Sequence, residues 1–336
     1  MILQLVVRRL FFLVFVLVAL SMITFALTHV VPRDSARLIA GPRASEGELQ
    51  QIRAEYGLDQ PLYRQYVTYM TGVVQLDFGR SMTSRRPVSE DLARYIPASV
   101  ELALYSIIIA VGFGVPLGVL AAVKRNSAAD LFSRVIAILG QSMPPFWLAL
   151  VVQFIFFARL GWFPDGQRLP TGTEPPSTIT SLYTVDSLLT GNFSLFVTSL
   201  HHIILPAFVL GFAAMAIVTR MVRSGMLEVM GQDYIRTARA KGLGQKIIIQ
   251  RHALKNALLP AVTVIGLQIG LLMAGTVLVE IIFSWPGIGR YAYQSIQNFD
   301  YRSVISVTLV IGAVYVTLNL LVDIAYILLD PRIKAS

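Results

Sequence analysis

Long apolar stretches dominate this chain, and polar segments of very different lengths separate them. Six stretches reach about 18 residues with few or no charges, or come close to that length. They span residues 10–31, 102–123, 135–158, 203–219, 256–279 and 303–329. The fourth is short but has uncharged residues before it, and only Asp323 interrupts the last. The pattern predicts an all-α, polytopic membrane protein with six transmembrane helices, which places both termini on the same side.

Composition agrees with a chain embedded in a membrane. Hydrophobic residues make up 55% of the sequence and charged residues 14%, whereas about 25% of residues are charged in an ordinary soluble domain. The sequence contains no cysteine, which excludes a disulfide framework and a thiolate metal site. The net charge of +9 is explained by Lys and Arg retained on the cytoplasmic side, so it does not call for a nucleic-acid partner.

Basic residues are concentrated on one side of the predicted spans. Residues 220–255 carry eight Lys and Arg against two acidic residues, whereas residues 32–97 carry nine basic and eight acidic residues. Other basic residues lie before the first span, between the second and third, and in the C-terminal tail: Arg8, Arg9, Lys124, Arg125, Arg134, Arg332 and Lys334. The positive-inside rule therefore predicts that both termini are cytoplasmic.

The segments between the spans suggest three regions. They are residues 1–31 with the first span, an external region at 32–97, and a core transmembrane domain at 98–336 with a long cytoplasmic segment at 222–256. Helical spacing in "EGELQQIRAEYGLDQPLYRQYVTYM", punctuated by Gly57 and Pro61, predicts helices in the external region. The second external loop, "GWFPDGQRLPTGTEPPSTITS", is predicted to be irregular.

Prolines and polar residues inside the spans are candidates for a transport path. Pro116, Pro144, Pro145 and Pro206 free backbone carbonyls that need partners in protein or in a water-filled lumen. They are equally compatible with bends in purely structural helices. The polar or adaptable residues chosen as pore-lining candidates are Gln141, Met143, Gln268, Asn319 and Asp323. Glu101, Glu280 and Asp323 lie near span ends, where helix capping or a helix–helix hydrogen bond is the simpler explanation.

The third external loop, "FSWPGIGRYAYQSIQNFDYRS", begins at a turn made by Trp285, Pro286 and Gly287. Its aromatic residues are predicted either to contact another protein at the external face or to form an interfacial aromatic belt.

The cytoplasmic stretch "GQDYIRTARAKGLG" places cations among small residues between two apolar runs. The sequence predicts a helix through "MLEVMGQDYIRTARAKG", a break at Gly242, and a second helix in "QKIIIQRHALKNALLP". Small side chains at Thr237, Ala238 and Ala240 would let another protein approach closely, and the cations would meet acidic or polar groups on it. The alternative is a loop whose only role is to orient the helices.

This stretch resembles the cytoplasmic coupling loop of ABC-importer permeases, which begins with Glu-Ala-Ala and has a glycine after three further residues. Aligned on Gly242, those first three positions fall on Arg236, Thr237 and Ala238. The chain departs from the general pattern at the Glu and also at the later Ile and Pro. Such departures are typical of the dipeptide/oligopeptide/nickel branch of the family, in which "DYIRTARAKGL" and "HALKNALLP" are familiar.

The resemblance extends over nearly the whole chain. Further stretches that resemble the B-type permease subunit of this branch, closest to its dipeptide permeases, are "YGLDQPLYRQY", "DFGRSM", "GVPLGVLAAVKR", "SMPPFW", "VTVIGLQIG", "FSWPGIGRY" and "NLLVDIAYILLDPRI". The resemblance implies the type I ABC-importer permease fold in the bacterial inner membrane. The cargo would be dipeptides or short oligopeptides, with nickel, haem or another small cargo as the alternative.

The resemblance also implies partners. A second, homologous permease subunit would complete the path, and a periplasmic binding protein would deliver the cargo. Two ATPase subunits would hold ATP and Mg²⁺, leaving this chain without a cofactor. The residues assigned to contact with an ATPase subunit are Asp233, Arg236, Thr237, Ala238, Arg239, Lys241 and Gly242. Trp285, Pro286 and Gly287 are the candidates for contact with the binding protein.

Other classes of function have less support in the sequence. No G-x-x-x-x-G-K-[ST] phosphate loop is present, so ATP hydrolysis is predicted to occur on other chains. The four histidines, His29, His201, His202 and His252, show no metal-ligand spacing. An ion-coupled transporter usually shows internal repeats and carboxylates at the membrane midplane, and an intramembrane enzyme needs a catalytic constellation. Neither pattern is evident.

Overall fold

The apolar stretches form helices in the computed structural model, which describes residues 2–30, 37, 44–275 and 277–329. Helices on the N-terminal side are α1 (Ile2–Val30), α2 (Glu46–Tyr56), α3 (Leu62–Val74), α4 (Val88–Val123), α5 (Ala128–Ser142), α6 (Pro145–Gln153) and α7 (Tyr183–Leu189). The others are α8 (Phe193–Met230), α9 (Asp233–Ala240), α10 (Gln245–Ile247), α11 (Leu254–Gly275), α12 (Val277–Ile282), α13 (Ile288–Gln297) and α14 (Tyr301–Leu329). Two π-helical turns, Phe154–Arg159 and Ile248–Ala253, extend α6 and join α10 to α11.

Four of these helical segments are long and apolar enough to cross a membrane. They are Val88–Val123, Phe193–Met230, Gln245–Leu272 and Tyr301–Leu321. A fifth span is possible if the bent pair Ala128–Ser142 and Pro145–Arg159 counts as one. In α1 the qualifying apolar part is shorter, Phe11–Leu27. The described chain is therefore a helical membrane protein with four or five such spans, and the predicted count of six and the predicted orientation stay predictions.

The sequence predicts one transmembrane helix over the third apolar stretch, but this stretch forms two helices with a bend between them. Helices α5 and α6 meet at an angle of 107°. Met143 and Pro144 are both extended, with ψ angles of 122° and 133°, because each precedes a proline and the ring of that proline disfavours helical geometry. By contrast, Pro116 and Pro206 lie inside α4 and α8, which continue past them. Of these prolines, only the consecutive Pro144 and Pro145 break the described span in which they lie.

Helices α4 and α8 lie side by side through glycines. A Cβ atom added to Gly118 would lie 2.7 Å from the Thr219 carbonyl oxygen, and one added to Gly211 would lie 2.7 Å from the Ser106 carbonyl oxygen. Small residues at such positions let two helix backbones approach closely, which is the usual basis of helix association in membranes. This pair forms the centre of the bundle. The other spans pack around it.

The external region at 44–97 contains the helices that the sequence predicts. Ser45 and Glu48 form a reciprocal capping box at the start of α2. Gly57 ends this helix with a φ of 65°, a left-handed conformation that glycine adopts without steric cost. Pro61 then precedes α3. The helical prediction for this region is confirmed.

The second external loop is irregular, as predicted, but buried side chains hold it in place. Arg168 donates to the Glu101 carboxylate at 2.6 Å, and both side chains are almost fully buried. The backbone N–H and the hydroxyl of Thr184 also donate to Glu101, each at 2.7 Å. The ring of His202 bonds to the Gly166 carbonyl oxygen at 2.8 Å. Glu101 therefore links the start of the α4 apolar stretch to the loop, which is a structural role.

The third external loop contains α13, which the sequence does not predict. The signal for it is the spacing of Ile288, Tyr291 and Ser295, which form the buried side of α13. Before it, the fully buried Glu280 accepts from the Ser99 hydroxyl at 2.6 Å and from the Arg290 N–H at 2.8 Å. This carboxylate ties α12 to α4 and to the first turn of α13.

Replacing Gly287 with Ala should destabilise the fold, because the new Cβ would overlap the buried Glu280 carboxylate. Overpacking of this kind costs roughly 1–3 kcal/mol. Thermal unfolding of the purified chain in detergent measures the effect. Gly112→Ala is the matched control, since nothing lies within 4 Å of a Cβ at that helical position. Equal melting temperatures for the two variants would contradict the packing described here.

Asp186 should make part of the stability depend on pH. Burial alone would raise its pKa, but donors from Thr180, Ile179 and Ser181 more than offset burial, so its pKa lies below the usual value. A depressed carboxylate pKa contributes stability above the unfolded-state value of about 3.9, and the contribution is lost as pH falls through the folded-state pKa.

The melting temperature of the wild type should therefore fall more steeply below about pH 4 than that of Asp186→Asn. The variant should already be less stable at neutral pH, since its amide cannot accept all of the same donors. Glu174→Gln, at an exposed position in the loop that precedes α7, controls for the loss of one charge. Parallel pH profiles for the wild type and Asp186→Asn would show that this carboxylate does not contribute in this way.

Candidate functional site

The segment between α8 and α11, which the sequence predicts to be cytoplasmic, folds as a short helix held between two breaks. Helix α8 ends at Met230, and Gln232 is extended, with a ψ of 152°. The sequence predicts a continuous helix here and is wrong at this point, because Gly231 and the extended Gln232 separate α8 from α9. The predicted break at Gly242 is confirmed, since α9 ends at Ala240 and Gly242 has a φ of 76°.

One side of α9 packs against the rest of the chain. Ile235 is fully buried and Ala238 is 7% exposed. Their spacing of three residues puts both side chains on the same face of the helix. They belong to a core cluster with buried residues from α4, α8 and the start of α11, among them Ala122, Val218, Val222, Met226, Ile248, Ala253 and Ala257. The segment is therefore held by its own hydrophobic contacts.

The opposite side of α9 is exposed and mostly polar. Of the predicted contact residues, those with exposed positions are Asp233, Arg236, Thr237, Arg239, Lys241 and Gly242. Asp233 and Arg236 form an ion pair at 3.3 Å, with side chains 95% and 74% exposed. An ion pair so exposed contributes little to stability. The methyl group of Ala238 packs into the core cluster of this chain, and its predicted contact with another protein stays a prediction.

Sequence reasoning misses two features of this segment. Asn256 donates to the Tyr234 hydroxyl at 2.9 Å, which links α9 to α11. The π-helical turn Ile248–Ala253 lies between α9 and the membrane-spanning part of α11. Tyr234 and Asn256 are 22 residues apart, so no local sequence pattern connects them. The extra residue in a π-helical turn does not alter the apolar spacing in a recognisable way.

The predicted path residues lie on two different pairs of helices. Gln141 on α5 accepts from Arg220 of α8 at 2.7 Å, and Met143 is at the bend after α5. Asn319 on α14 lies beside Gly270 of α11. Within the described chain its Oδ1 atom is buried without a hydrogen-bond partner. Gln268 is half-buried on α11, and the side chain of Asp323 lies outside the residues described.

The external Trp-Pro-Gly turn is less accessible than the sequence suggests. Trp285 is 1% exposed, and its indole N–H donates to the Ala98 carbonyl oxygen at 2.9 Å. Gly287 is buried against Glu280, and Pro286 is half-buried. The indole of Trp285 therefore belongs to the core, and the predicted contact of this turn with a binding protein stays a prediction. Tyr293 and Ile296 of α13 are exposed instead.

Known families match both parts of the chain. The family described as the binding-protein-dependent transport system inner membrane component matches residues 114–335. The N-terminal region of binding-protein-dependent transport system membrane components matches residues 2–103. The chain belongs to this family. It is a permease component of the bacterial inner membrane.

Relatives are similar to the permease over nearly its whole length. The probable D,D-dipeptide transport system permease protein of Escherichia coli strain K12 is 44% identical over 326 residues, covering 97% of this chain and 96% of the relative. A dipeptide transport system permease protein of Alkalihalophilus pseudofirmus is 43% identical over 327 residues, 97% of this chain and 98% of the relative. The corresponding dipeptide permease protein of Escherichia coli strain K12 is 41% identical over 335 residues, 99% of each chain.

These matches confirm the resemblance to ABC-importer permeases of the dipeptide/oligopeptide/nickel branch. Like its relatives, the permease is a transport component and is not itself an enzyme. The residues at its contacts with other chains are a separate question.

Gly242→Val should loosen the position of α9. A Cβ at Gly242 would meet no atom within 4 Å, so the cost is backbone strain at a positive φ, about 1–2 kcal/mol. Hydrogen exchange of the α9 amides should accelerate by roughly 5- to 30-fold for that cost. Gly242→Asn is the control, because asparagine tolerates the left-handed conformation better than valine. Exchange in Gly242→Val that matches the wild type would refute this role of Gly242.

Proposed function

We propose that this permease forms half of the path of an ATP-driven importer for dipeptides or short oligopeptides. Support comes from relatives more than 40% identical over nearly the full length, whose names specify dipeptide transport. A periplasmic binding protein delivers the cargo, consistent with the binding-protein-dependent family. A second, homologous permease subunit completes the path.

The observation that carries the coupling mechanism is the division of α9 into a buried and an exposed side. The exposed side presents Arg236, Arg239 and the following Lys241 to the cytoplasm, where they meet a groove on an ATPase subunit. The buried side transmits force, since Ile235 and Ala238 share a core cluster with buried residues of the π-helical turn Ile248–Ala253, α8 and α11. A helix held in this way moves with the spans to which it is attached.

ATP and Mg²⁺ are held by the two ATPase subunits in this proposal. Closure of the ATPase pair pushes on α9 of each permease subunit and tilts the spans from an inward-open to an outward-open arrangement. Asp233, Thr237 and Gly242 complete the contact, Asp233 through its ion pair with Arg236 and Gly242 by ending the helix beside the contact.

The path itself is proposed to follow the polar residues of α5, α11 and α14. The break between α5 and α6 leaves Phe146, Trp147 and Leu150 exposed on α6, where the second permease subunit or lipid covers them. Gln141, Met143, Gln268 and Asn319 are the proposed lining residues, with Asp323 near the end of α14. Such a lining suits cargo of varied side chains, because the binding protein selects the cargo. Pro286 and the exposed side of α13 are the proposed contact with that protein.

Uptake by the purified transporter in proteoliposomes tests the proposal. A labelled dipeptide should accumulate only when both ATP and the binding protein are present. Arg239→Glu should reduce uptake at least tenfold, because it places a carboxylate on the cationic surface of α9. Arg125→Glu, an equal charge change at another exposed cytoplasmic position, should retain uptake within about twofold, since it lies outside α9.

Three outcomes would contradict the proposal in different ways. Uptake driven by a proton gradient without ATP would identify an ion-coupled transporter. Uptake of nickel or haem but not of dipeptides would retain the machinery and overturn the cargo. Full uptake by Arg239→Glu would remove α9 from the coupling mechanism.

A further inference from the structure

A cationic cavity between α5 and α8 has no role in the coupling mechanism. Its volume is about 250 Å³, enough for roughly eight water molecules at about 30 Å³ each. The lining residues are Ser133, Arg134, Ala137, Ile138, Gln141, Thr219, Arg220 and Arg223. Three guanidinium groups thus surround a space that is large enough for a polar headgroup.

The charges around this cavity are not balanced. Asp130 accepts two hydrogen bonds from Arg223, at 2.8 and 3.0 Å, and lies 3.6 Å from Arg134. The separation of 3.6 Å is too long for a hydrogen bond. The Asp130 carboxylate therefore neutralises one arginine, so the three guanidinium groups together with this carboxylate carry a net charge of about +2.

The remaining hydrogen-bond donors have few partners. Among the described residues, Arg134 makes no hydrogen bond, and Arg220 donates only to Gln141. The Thr219 hydroxyl, on a residue only 1% exposed, has no hydrogen-bond partner. Thr219 borders the cavity, but its hydroxyl is closed to solvent, so the guanidinium groups of Arg134 and Arg220 are the donors that a ligand in the cavity can reach.

The position of the cavity along the membrane normal indicates the kind of anion. Arg134 directly precedes the apolar stretch at 135–158, and Arg220 directly follows the one at 203–219. Both guanidinium groups are therefore attached at the end of an apolar stretch on the side that the positive-inside rule assigns to the cytoplasm. Lipid phosphates border the hydrocarbon at this level, and basic pockets between spans on this side suit anionic headgroups.

An apolar surface continues from the cavity along α5. Residues Leu131, Phe132, Val135, Ile138 and Leu139 are between 40% and 63% exposed. Ile138 belongs both to this surface and to the cavity wall. A phosphate in the cavity would therefore have apolar surface beside it for acyl chains, which a free anion or a short peptide does not need.

We propose that this cavity binds the phosphate of an anionic phospholipid from the cytoplasmic leaflet, with Arg134 and Arg220 as donors and the apolar α5 surface in contact with its acyl chains. Arg223 is the positioning residue, since its pairing with Asp130 fixes the wall of the cavity. Gln141 belongs both to this cavity and to the proposed lining of the path, so the proposal is independent of the α9 contact but shares one residue with the path.

Binding of phosphatidylglycerol to the purified full-length chain, with any subunits that copurify, tests this proposal by native mass spectrometry. Phosphatidylethanolamine with the same acyl chains is the zwitterionic comparison. The double variant Arg134→Gln/Arg220→Gln should bind phosphatidylglycerol at least tenfold more weakly, since each cation contributes to attraction of an anionic headgroup. Arg125→Gln removes one exposed cytoplasmic charge outside the cavity and should change binding by less than about twofold.

The single variants Arg134→Gln and Arg220→Gln provide a second test that does not depend on tolerance of the double variant. Each leaves the pair between Arg223 and Asp130 intact and should bind phosphatidylglycerol roughly three- to tenfold more weakly than the wild type.

The proposal fails if the double variant and the two single variants bind phosphatidylglycerol as the wild type does. It also fails if the two lipids bind equally well. Displacement of phosphatidylglycerol by a dipeptide, or by inorganic phosphate alone, would assign the cavity to a soluble anion and overturn the lipid assignment.

Discussion

The close approach of α4 and α8 is the constraint on which the rest of the permease depends. Gly114, Gly118 and Gly211 leave room for the backbone of the facing helix, so the two longest spans lie nearly in contact. In lipid there is no hydrophobic force between helices, and such contact through small residues supplies the association. Since α8 also carries the external histidines and leads into α9, its placement fixes both ends of the molecule.

Buried charges at the ends of the spans complete this arrangement. Glu101 is paired with Arg168, Glu280 receives donors from Ser99 and Arg290, and Asp130 receives a bidentate pair from Arg223. An unpaired charge in such surroundings would be expensive. The carboxylates therefore specify which loops and helices can meet, and this specificity is a more plausible role for them than direct contact with cargo.

Much of the helical architecture can be predicted from the sequence, because long apolar stretches and the Gly57 and Pro61 signals are local. The signals at Pro144 and Pro145 are visible too, but the angle between α5 and α6 depends on how two segments pack after the break. Ala238 shows a different limit. The small side chain of Ala238 suggests that a neighbour packs closely against it. Only its spacing of three residues from the buried Ile235 indicates that this neighbour is the rest of the same chain. The Arg168–Glu101 pair joins positions 67 residues apart, and no local pattern connects them.

The length of α8 has a mechanical consequence. Its 38 residues span roughly 57 Å at 1.5 Å per residue, almost twice the hydrocarbon thickness of about 30 Å. Helix α8 is therefore one continuous helix that reaches from the end of α7 to the start of α9. A tilt of about 10° around its midpoint would carry its two ends roughly 5 Å in opposite directions. A displacement imposed on one membrane face thus appears, reversed in sense, on the other, without a chain of intermediate side-chain changes.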